Sequence, residues 1–141
     1  MKQLINFVTL GVKDLHKMKL FYQEKFGWTL LSEEPGIVFF KLNGFILGLF
    51  PANRLAEDIG IKDDGRGFKN FTLAINFNSP SEVDQAVEDL KAKGVSVVKE
   101  PQKVFWGGYH SYVKDIEDNY WELAFNPFLK LDESGNSLGH E

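Results

Sequence analysis

The sequence predicts an α+β protein built from two βαβββ modules, because one order of features occurs twice along the chain. Apolar side chains alternate over residues 8–12 and again over residues 73–77, and alternation with a period of two indicates half-buried strands. A polar cap, an amphipathic helix, a glycine and a further strand follow each of these segments. The two modules are therefore expected to share one fold.

The helix of each module has a clear start and a clear end. Asp14 is a favourable N-cap for the first helix, which Gly27 ends. Ser79 to Glu82 fits a capping box, with Pro80 at the first helical position, and Gly94 ends the second helix. The apolar stripes are Leu15, Met18, Tyr22 and Phe26 in the first helix and Val83, Ala86, Val87 and Leu90 in the second.

Three short strands are predicted after each helix. In the first module they cover residues 28–32, 37–42 and 45–50, with Asn43-Gly44 as a hairpin turn, and in the second they cover 96–100, 109–114 and 120–125. We therefore expect one domain over residues 1–128, with modules at about 1–51 and 68–128. Residues 52–67 form the predicted linker, with a short helix near 55–58, and residues 129–141 form a polar tail.

The composition limits the classes of function. Apolar residues make up 43% of the 141, which is enough for a packed core. The net charge is −4 and no Lys/Arg cluster occurs, so nucleic acid is not an expected partner. With no cysteine, thiolate catalysis and Cys-ligated zinc are excluded. The sequence shows no apolar leader or membrane span, and we expect a cytoplasmic protein with no membrane partner.

Each four-stranded sheet has a helix on one face only, so the other face needs cover. Two such sheets that pair would form a cup, and ligand sites favour concave places of this kind. Three stretches then carry a resemblance to a known family: VTLGVKDLHKMKLFYQEKFGW, TLAIN and WGGYHSYVKDIEDNYWELAFNP. They resemble the vicinal oxygen chelate superfamily, which includes glyoxalase I, extradiol dioxygenases and bleomycin-resistance proteins.

The resemblance covers about residues 4 to 128 and implies the glyoxalase/bleomycin-resistance fold, a small-molecule ligand and a homodimer. The family's last hairpin usually has an Asp-Pro-Asp-Gly-Asn turn. Residues 115–119 read Asp-Ile-Glu-Asp-Asn instead. Asp and Asn tolerate left-handed backbone, so we expect the hairpin to form all the same.

The resemblance also implies where a metal would bind. Metal-dependent members place one ligand on each of four strands, and these positions are Phe7, Gly48, Thr72 and Glu122 here. Only Glu122 is a good ligand for a divalent ion. A shift of one residue in a strand would not help, because it presents Val8, Leu47, Leu49, Phe71 or Leu73. We therefore expect no metal site of the family type and no cofactor.

Without a metal, the predicted cup is apolar and aromatic with a few polar groups. Alternation favours His110 and Tyr112 as inward residues over Tyr109 and Ser111. Such a lining suits an aromatic or amphipathic compound with a cationic or donor group near Glu122. The predicted ligand-binding residues are Phe7, Thr9, Gly48, Phe50, Thr72, Asn76, Trp106, His110, Tyr112 and Glu122.

The role of Glu122 stays open at this point. It can contact a ligand, or it can accept hydrogen bonds from Tyr112, Thr72 or His110 in a structural network. Glu122 and His110 are also the candidate catalytic pair, as a carboxylate-imidazole proton shuttle. Three interpretations follow. The protein is a binding protein of the bleomycin-resistance type, a lyase or dioxygenase of the glyoxalase class that is metal-free or has an unusual metal site, or a scaffold without a small ligand.

Overall fold

A computed structural model describes residues 1–140, which divide into two compact units. The first unit, residues 1–67, contains β1 (Phe7–Val12), α1 (Leu15–Glu24), β2 (Leu30–Glu34), β3 (Ile37–Lys41), β4 (Ile46–Pro51) and α2 (Ala52–Ile59). The second unit begins at residue 68 and contains β5 (Leu73–Phe77), α3 (Pro80–Ala92), β6 (Ser96–Lys103), β7 (Tyr109–Lys114), β8 (Tyr120–Phe125), β9 (Leu129–Leu131) and β10 (Ser137–His140).

The first unit is a mixed sheet with the strand order β1-β4-β3-β2, in which only the β1–β4 pair is parallel. Its core lies between one face of this sheet and α1. Asp14 caps α1, since its carboxylate accepts a hydrogen bond from the Lys17 amide at 3.0 Å. The fully buried side chains of the first unit are Val12, Met18, Tyr22, Val38, Phe40, Leu47 and Leu49.

The helix α2 packs against β1 and β4 in the first unit. A side chain at Gly11 would meet Ala52 Cα at 3.2 Å and the Leu55 side chain at 3.3 Å. Glycine at this position therefore allows α2 to approach the sheet closely. This contact extends the helix over residues 52–59, beyond the 55–58 predicted for the linker.

The second unit repeats this plan with the strand order β5-β8-β7-β6 and a parallel β5–β8 pair. The helix α3 covers one face, where Val83, Val87, Val113 and Leu123 are buried. Ser79 caps this helix, as predicted, by accepting a hydrogen bond from the Glu82 amide at 3.2 Å. The α+β class with two βαβββ modules is thus confirmed. No helix within residues 1–140 has the length and hydropathy of a membrane span.

Two strands differ from the prediction for visible reasons. β2 begins at Leu30 because Trp28 is held in the preceding loop, where its ring stacks on Tyr22 at 5.4 Å. The Trp28 amide also donates to the Tyr22 carbonyl at 3.1 Å. β6 continues to Lys103 because it pairs with the whole of β7, through register shifts on either side of Lys99.

One loop design occurs twice in the second unit, at residues 115–119 and 132–136. In each loop an Asp carboxylate accepts bonds from the backbone amide and the side-chain amide of the Asn four residues later. The second loop closes the β9–β10 hairpin, within the segment predicted as a polar tail. The hydrogen bonds from Asn136 hold the pKa of Asp132 below its ordinary value.

The fourth position of the loop requires a positive φ in both copies. Gly135 has a φ of 85° and Asp118 has a φ of 61°. Left-handed backbone costs a residue with a Cβ about 1 kcal/mol or more relative to glycine. We therefore expect Asp118→Gly to raise the free energy of unfolding by about 0.5–1 kcal/mol in urea denaturation.

Asp118→Ala is the matched control for this substitution. It also removes the exposed ion pair between Lys114 and Asp118, at 2.8 Å, but keeps a Cβ at the strained position. Exposed pairs of this kind contribute little. A glycine variant no more stable than the alanine variant would contradict the strain account.

Candidate functional site

Three polar side chains lie together on the face of the second sheet that α3 does not cover. In β7 and β8, Val113 and Leu123 are buried against α3, and alternation turns the neighbouring residues to the opposite face. Tyr112 pairs directly with Glu122 across the two strands, and His110 pairs with Ala124. The register therefore brings His110, Tyr112 and Glu122 into one cluster.

Both neighbours bind the same oxygen of Glu122. His110 Nδ1 lies 2.7 Å from Glu122 Oε2, and the Tyr112 hydroxyl donates to Oε2 at 3.2 Å. An ionised carboxylate only accepts hydrogen bonds, so Nδ1 is the donor and His110 Nε2 carries the lone pair in neutral imidazole. Nε2 is buried and has no hydrogen-bond partner within residues 1–140.

The second oxygen of Glu122 is left free. Within residues 1–140 no group donates to Oε1, and this atom is not among the buried unpartnered ones. The Glu122 side chain is 24% exposed, whereas that of His110 is 11% exposed. The strand neighbour of Glu122 on β5 is Ala74, whose small, exposed side chain leaves room beside the carboxylate. The cluster therefore presents an oriented acceptor, with His110 behind it.

The surroundings of Tyr112 shift the pKa of its phenol. Its burial, the negative charge of Glu122 and their hydrogen bond all raise the pKa of the Tyr112 phenol. A phenol that titrates later in the folded state than in the unfolded state stabilises the fold fully below the unfolded pKa of about 10. This contribution is lost as the pH rises through the higher folded pKa.

We expect Tyr112→Phe to remove one late-titrating phenol from the alkaline absorbance titration of the folded protein. The variant should also show a shallower loss of stability above about pH 10, because the linkage is gone. Tyr109→Phe is the comparison, since a hydrogen bond to Asp84 at 2.6 Å raises the pKa of Tyr109 on the other face. If the phenol that Tyr112→Phe removes titrates at the ordinary pKa of tyrosine, the result would contradict the raised pKa of Tyr112.

The other residues of the second unit that the sequence predicts for ligand binding are Thr72, Asn76 and Trp106. Their contacts differ from those of the cluster. Thr72 is exposed, precedes β5 and makes no hydrogen bond to Glu122. Asn76 pairs with Ala124, which places it across that residue from His110. Trp106 lies in the β6–β7 loop, where its indole packs over Gly108 and stays 37% exposed.

The predicted residues of the first unit occupy the sheet face opposite to α1. Phe7 and Thr9 on β1 are exposed, and Gly48 and Phe50 are on β4. The Phe7 ring meets Phe39 edge-to-face at 5.8 Å. A side chain at Gly48 would contact Thr9 and Phe39, so these residues fill the space that Gly48 leaves. Their role in binding stays a prediction.

Sequence reasoning omitted three residues on or near this face: Phe39, Lys41 and Arg54. Alternation along β3 places Phe39 and Lys41 on this face, because Phe39 pairs with Gly48 and Lys41 pairs with Ile46 on β4. The Arg54 guanidinium lies over the Phe50 ring, 5.2 Å from its centroid, and packs against Gly36. No sequence pattern signals that contact.

The comparison with known proteins decides the family. The model of the Glyoxalase/Bleomycin resistance protein/Dioxygenase superfamily matches residues 4–123. The chain belongs to this superfamily. This confirms the resemblance drawn from the sequence and the glyoxalase-like fold.

Solved structures of the superfamily support the same fold over the whole chain. A glyoxalase-related enzyme from Fulvimarina pelagi is 31% identical, with a TM-score of 0.86 over 99% of this chain and 100% of that chain. A glyoxalase/bleomycin resistance protein/dioxygenase from Nocardioides is 27% identical, with a TM-score of 0.78 over 100% of this chain and 91% of that one.

A lactoylglutathione lyase from Arabidopsis thaliana is 33% identical over 124 residues. The match covers 82% of this chain but only 42% of the plant protein. This chain thus spans less than half the length of that relative.

The metal positions that the resemblance implies for this chain can be compared with the residues that occupy them. Phe7 and Gly48 have no donor atom in their side chains, and Thr72 has a neutral hydroxyl. Within residues 1–140 no group of three or more His, Cys, Asp and Glu side chains is placed to hold a metal ion. Glu122 and His110 bond to each other through Oε2 and Nδ1, which leaves Oε1 as the carboxylate atom available to another molecule.

Proposed function

We propose that this superfamily member binds a small aromatic or amphipathic molecule without a metal ion, through a cationic or hydrogen-bond-donating group that meets Glu122. The observation that carries the proposal is the unequal use of the Glu122 carboxylate. Oε2 accepts bonds from His110 and Tyr112, whereas Oε1 accepts none within residues 1–140.

Orientation by two donors makes Glu122 a better acceptor than a mobile surface carboxylate. The two hydrogen bonds restrict its rotamer, so a ligand does not have to order the side chain on binding. A bond between an ionised carboxylate and a donor group is also stronger than a neutral one. The exposed Ala74 beside Glu122 leaves space for the apolar body of the ligand.

The proposal excludes a metal on chemical grounds. Of the four positions that the resemblance assigns to a metal, only Glu122 carries a side chain that suits a divalent ion, which needs several oxygen or nitrogen ligands. His110 Nε2, the ring nitrogen that keeps its lone pair, is buried within residues 1–140 and is not exposed to an ion in solvent.

Thermal unfolding with a matched set of probes tests this proposal. We expect naphthylmethylamine to raise the melting temperature more than naphthalenemethanol, which has the same ring and no charge, since a ligand that binds only the folded state stabilises it. Mg²⁺, Mn²⁺, Ni²⁺ and Zn²⁺ should leave the melting temperature unchanged. Stabilisation by a metal ion together with no preference for the amine would refute the proposal.

A second function is favoured by the distance of 2.7 Å between His110 and Glu122. A carboxylate held by an imidazole is an arrangement that transfers protons, and the chain is similar to a lactoylglutathione lyase. In this case Glu122 Oε1 would act as the base of a metal-free lyase. Mass spectrometry of lactoylglutathione incubated with metal-free protein tests it, and equal turnover by wild type and Glu122→Gln would eliminate it.

Two further parts of the proposal concern assembly and location. A homodimer, which the resemblance to the superfamily implies, and a cytoplasmic location are proposed as well. Light scattering after size-exclusion chromatography tests the first. A mass equal to one chain of 16.1 kDa would contradict it.

A further inference from the structure

A row of three side chains crosses the first sheet from apolar to charged. Phe7 on β1 pairs with Ile46 on β4, and Ile46 pairs with Lys41 on β3. Directly paired residues point to the same face of a sheet, and neighbouring strands are about 4.8 Å apart. An aromatic ring, an aliphatic side chain and an ammonium group therefore follow one another across about 10 Å.

This row borders an open depression of about 590 Å³ at the end of the sheet. The tight β3–β4 turn forms one wall, since Leu42 N–H donates to Phe45 O at 2.9 Å and Gly44 has a φ of 101°. The lining residues are Asn6, Phe7, Lys41, Leu42, Gly44, Phe45 and Ile46.

The depression combines an apolar surface with one unpaired cation. Lys41 makes no ion pair within residues 1–140, although the chain as a whole carries a net charge of −4. None of the lining residues is acidic. Phe7 is 52% exposed, so its ring is accessible to an apolar molecule.

We propose that this depression binds the anionic group of a small amphipathic molecule, such as an aromatic or aliphatic carboxylate or sulfonate. Lys41 attracts the anion, while Phe7, Phe45 and Ile46 contact the apolar body. The depression lies wholly within the first unit, and Glu122 in the second unit takes no part in it. The proposal therefore does not rest on Glu122.

Amide NMR shifts with naphthalenesulfonate as the probe test the proposal. We expect shifts at Asn6, Phe7, Leu42, Phe45 and Ile46, with saturation that yields a Kd. Lys41→Gln should weaken binding of this anion by about twofold to fivefold, the effect of an exposed ion pair. Binding of the uncharged naphthalenemethanol should not change in this variant. Phe45→Ala should weaken both probes, because it removes apolar contact.

Lys62→Gln is the matched control, since Lys62 is an exposed lysine of the same unit that does not line the depression. It changes the net charge equally. Any of three results would overturn the proposal: no binding at millimolar probe, shifts confined to residues outside the depression, or an equal effect of Lys41→Gln and Lys62→Gln. Circular dichroism confirms that each variant is folded before its affinity is compared.

Discussion

Replacing Asp115 with alanine is expected to lower the free energy of unfolding by about 3 kcal/mol. Asp115 is 2% exposed and Asn119 is 3% exposed, so water does not replace a lost bond. The carboxylate accepts from the amides of Glu117 and Asn119 at 2.9 Å and from Asn119 Nδ2 at 2.7 Å. Lys69 extends this network by donating to Asn119 Oδ1 at 2.9 Å. Urea denaturation followed by circular dichroism measures the loss.

The repeated loop supplies an internal control for this prediction. Asp132→Ala removes the same set of bonds from a more exposed loop at the β9–β10 hairpin. Its effect on global unfolding should be clearly smaller, because water can satisfy the freed amides. Equal effects of the two substitutions, or a loss below about 1 kcal/mol for Asp115→Ala, would show that burial does not determine the contribution of this loop.

The strand faces of the candidate site follow from the sequence because side chains alternate along a strand. Alternation favours His110 and Tyr112 over Tyr109 and Ser111, and the structure places the first two beside Glu122. Ser111 instead lies on the α3 side, where its hydroxyl donates to the Lys99 carbonyl at 2.7 Å. One buried strand with known partners is enough to assign both faces of its neighbours.

Bonds within the site do not follow from alternation, because they depend on rotamers and strand register. The sequence left Thr72, Tyr112 and His110 as equal donors to Glu122, and only the last two bind it. Both residues bond to Oε2, and residue types alone do not predict which carboxylate oxygen accepts the bonds. The buried Nε2 of His110 is likewise visible only in three dimensions.

Two departures from the predicted elements have different origins. Strand propensity alone favours a start of β2 at Trp28. The strand starts later because the Trp28 ring stacks on Tyr22, which holds this residue in the loop. The β9–β10 hairpin had a readable signal, since Asp and Asn four residues apart with Gly135 between them repeat the spacing at residues 115–119. The spacing of Asp and Asn therefore indicates the same type of loop at both places, and not only in the family's last hairpin.

Glu122→Gln is expected to weaken binding of naphthylmethylamine roughly tenfold to a hundredfold, as measured by calorimetry. Glutamine has the same shape, but it lacks the charge that strengthens the bond to an ammonium group. The pKa of the Tyr112 phenol should fall part of the way towards its ordinary value in the same variant, because burial, the largest cause of the raised pKa, stays while the negative charge of Glu122 is removed. Binding of naphthalenesulfonate should be unaffected.

Glu133→Gln is the matched control, because Glu133 is an exposed carboxylate of the same unit and makes the same change in net charge. His110→Phe provides a second comparison, since it removes a donor that orients Glu122 and leaves the carboxylate in place. We expect a smaller loss of amine affinity for this variant than for Glu122→Gln. A larger loss would identify His110, and not Glu122, as the main ligand contact.

The central claim is that Glu122 Oε1 receives the ligand without a metal ion. Calorimetric titration of naphthylmethylamine into wild-type protein and Glu122→Gln, both in chelator-treated buffer, tests it most directly. We predict measurable binding by the wild type and at least tenfold weaker binding by the variant. Equal affinities for the two proteins, or amine binding by the wild type that requires an added divalent ion, would contradict the claim.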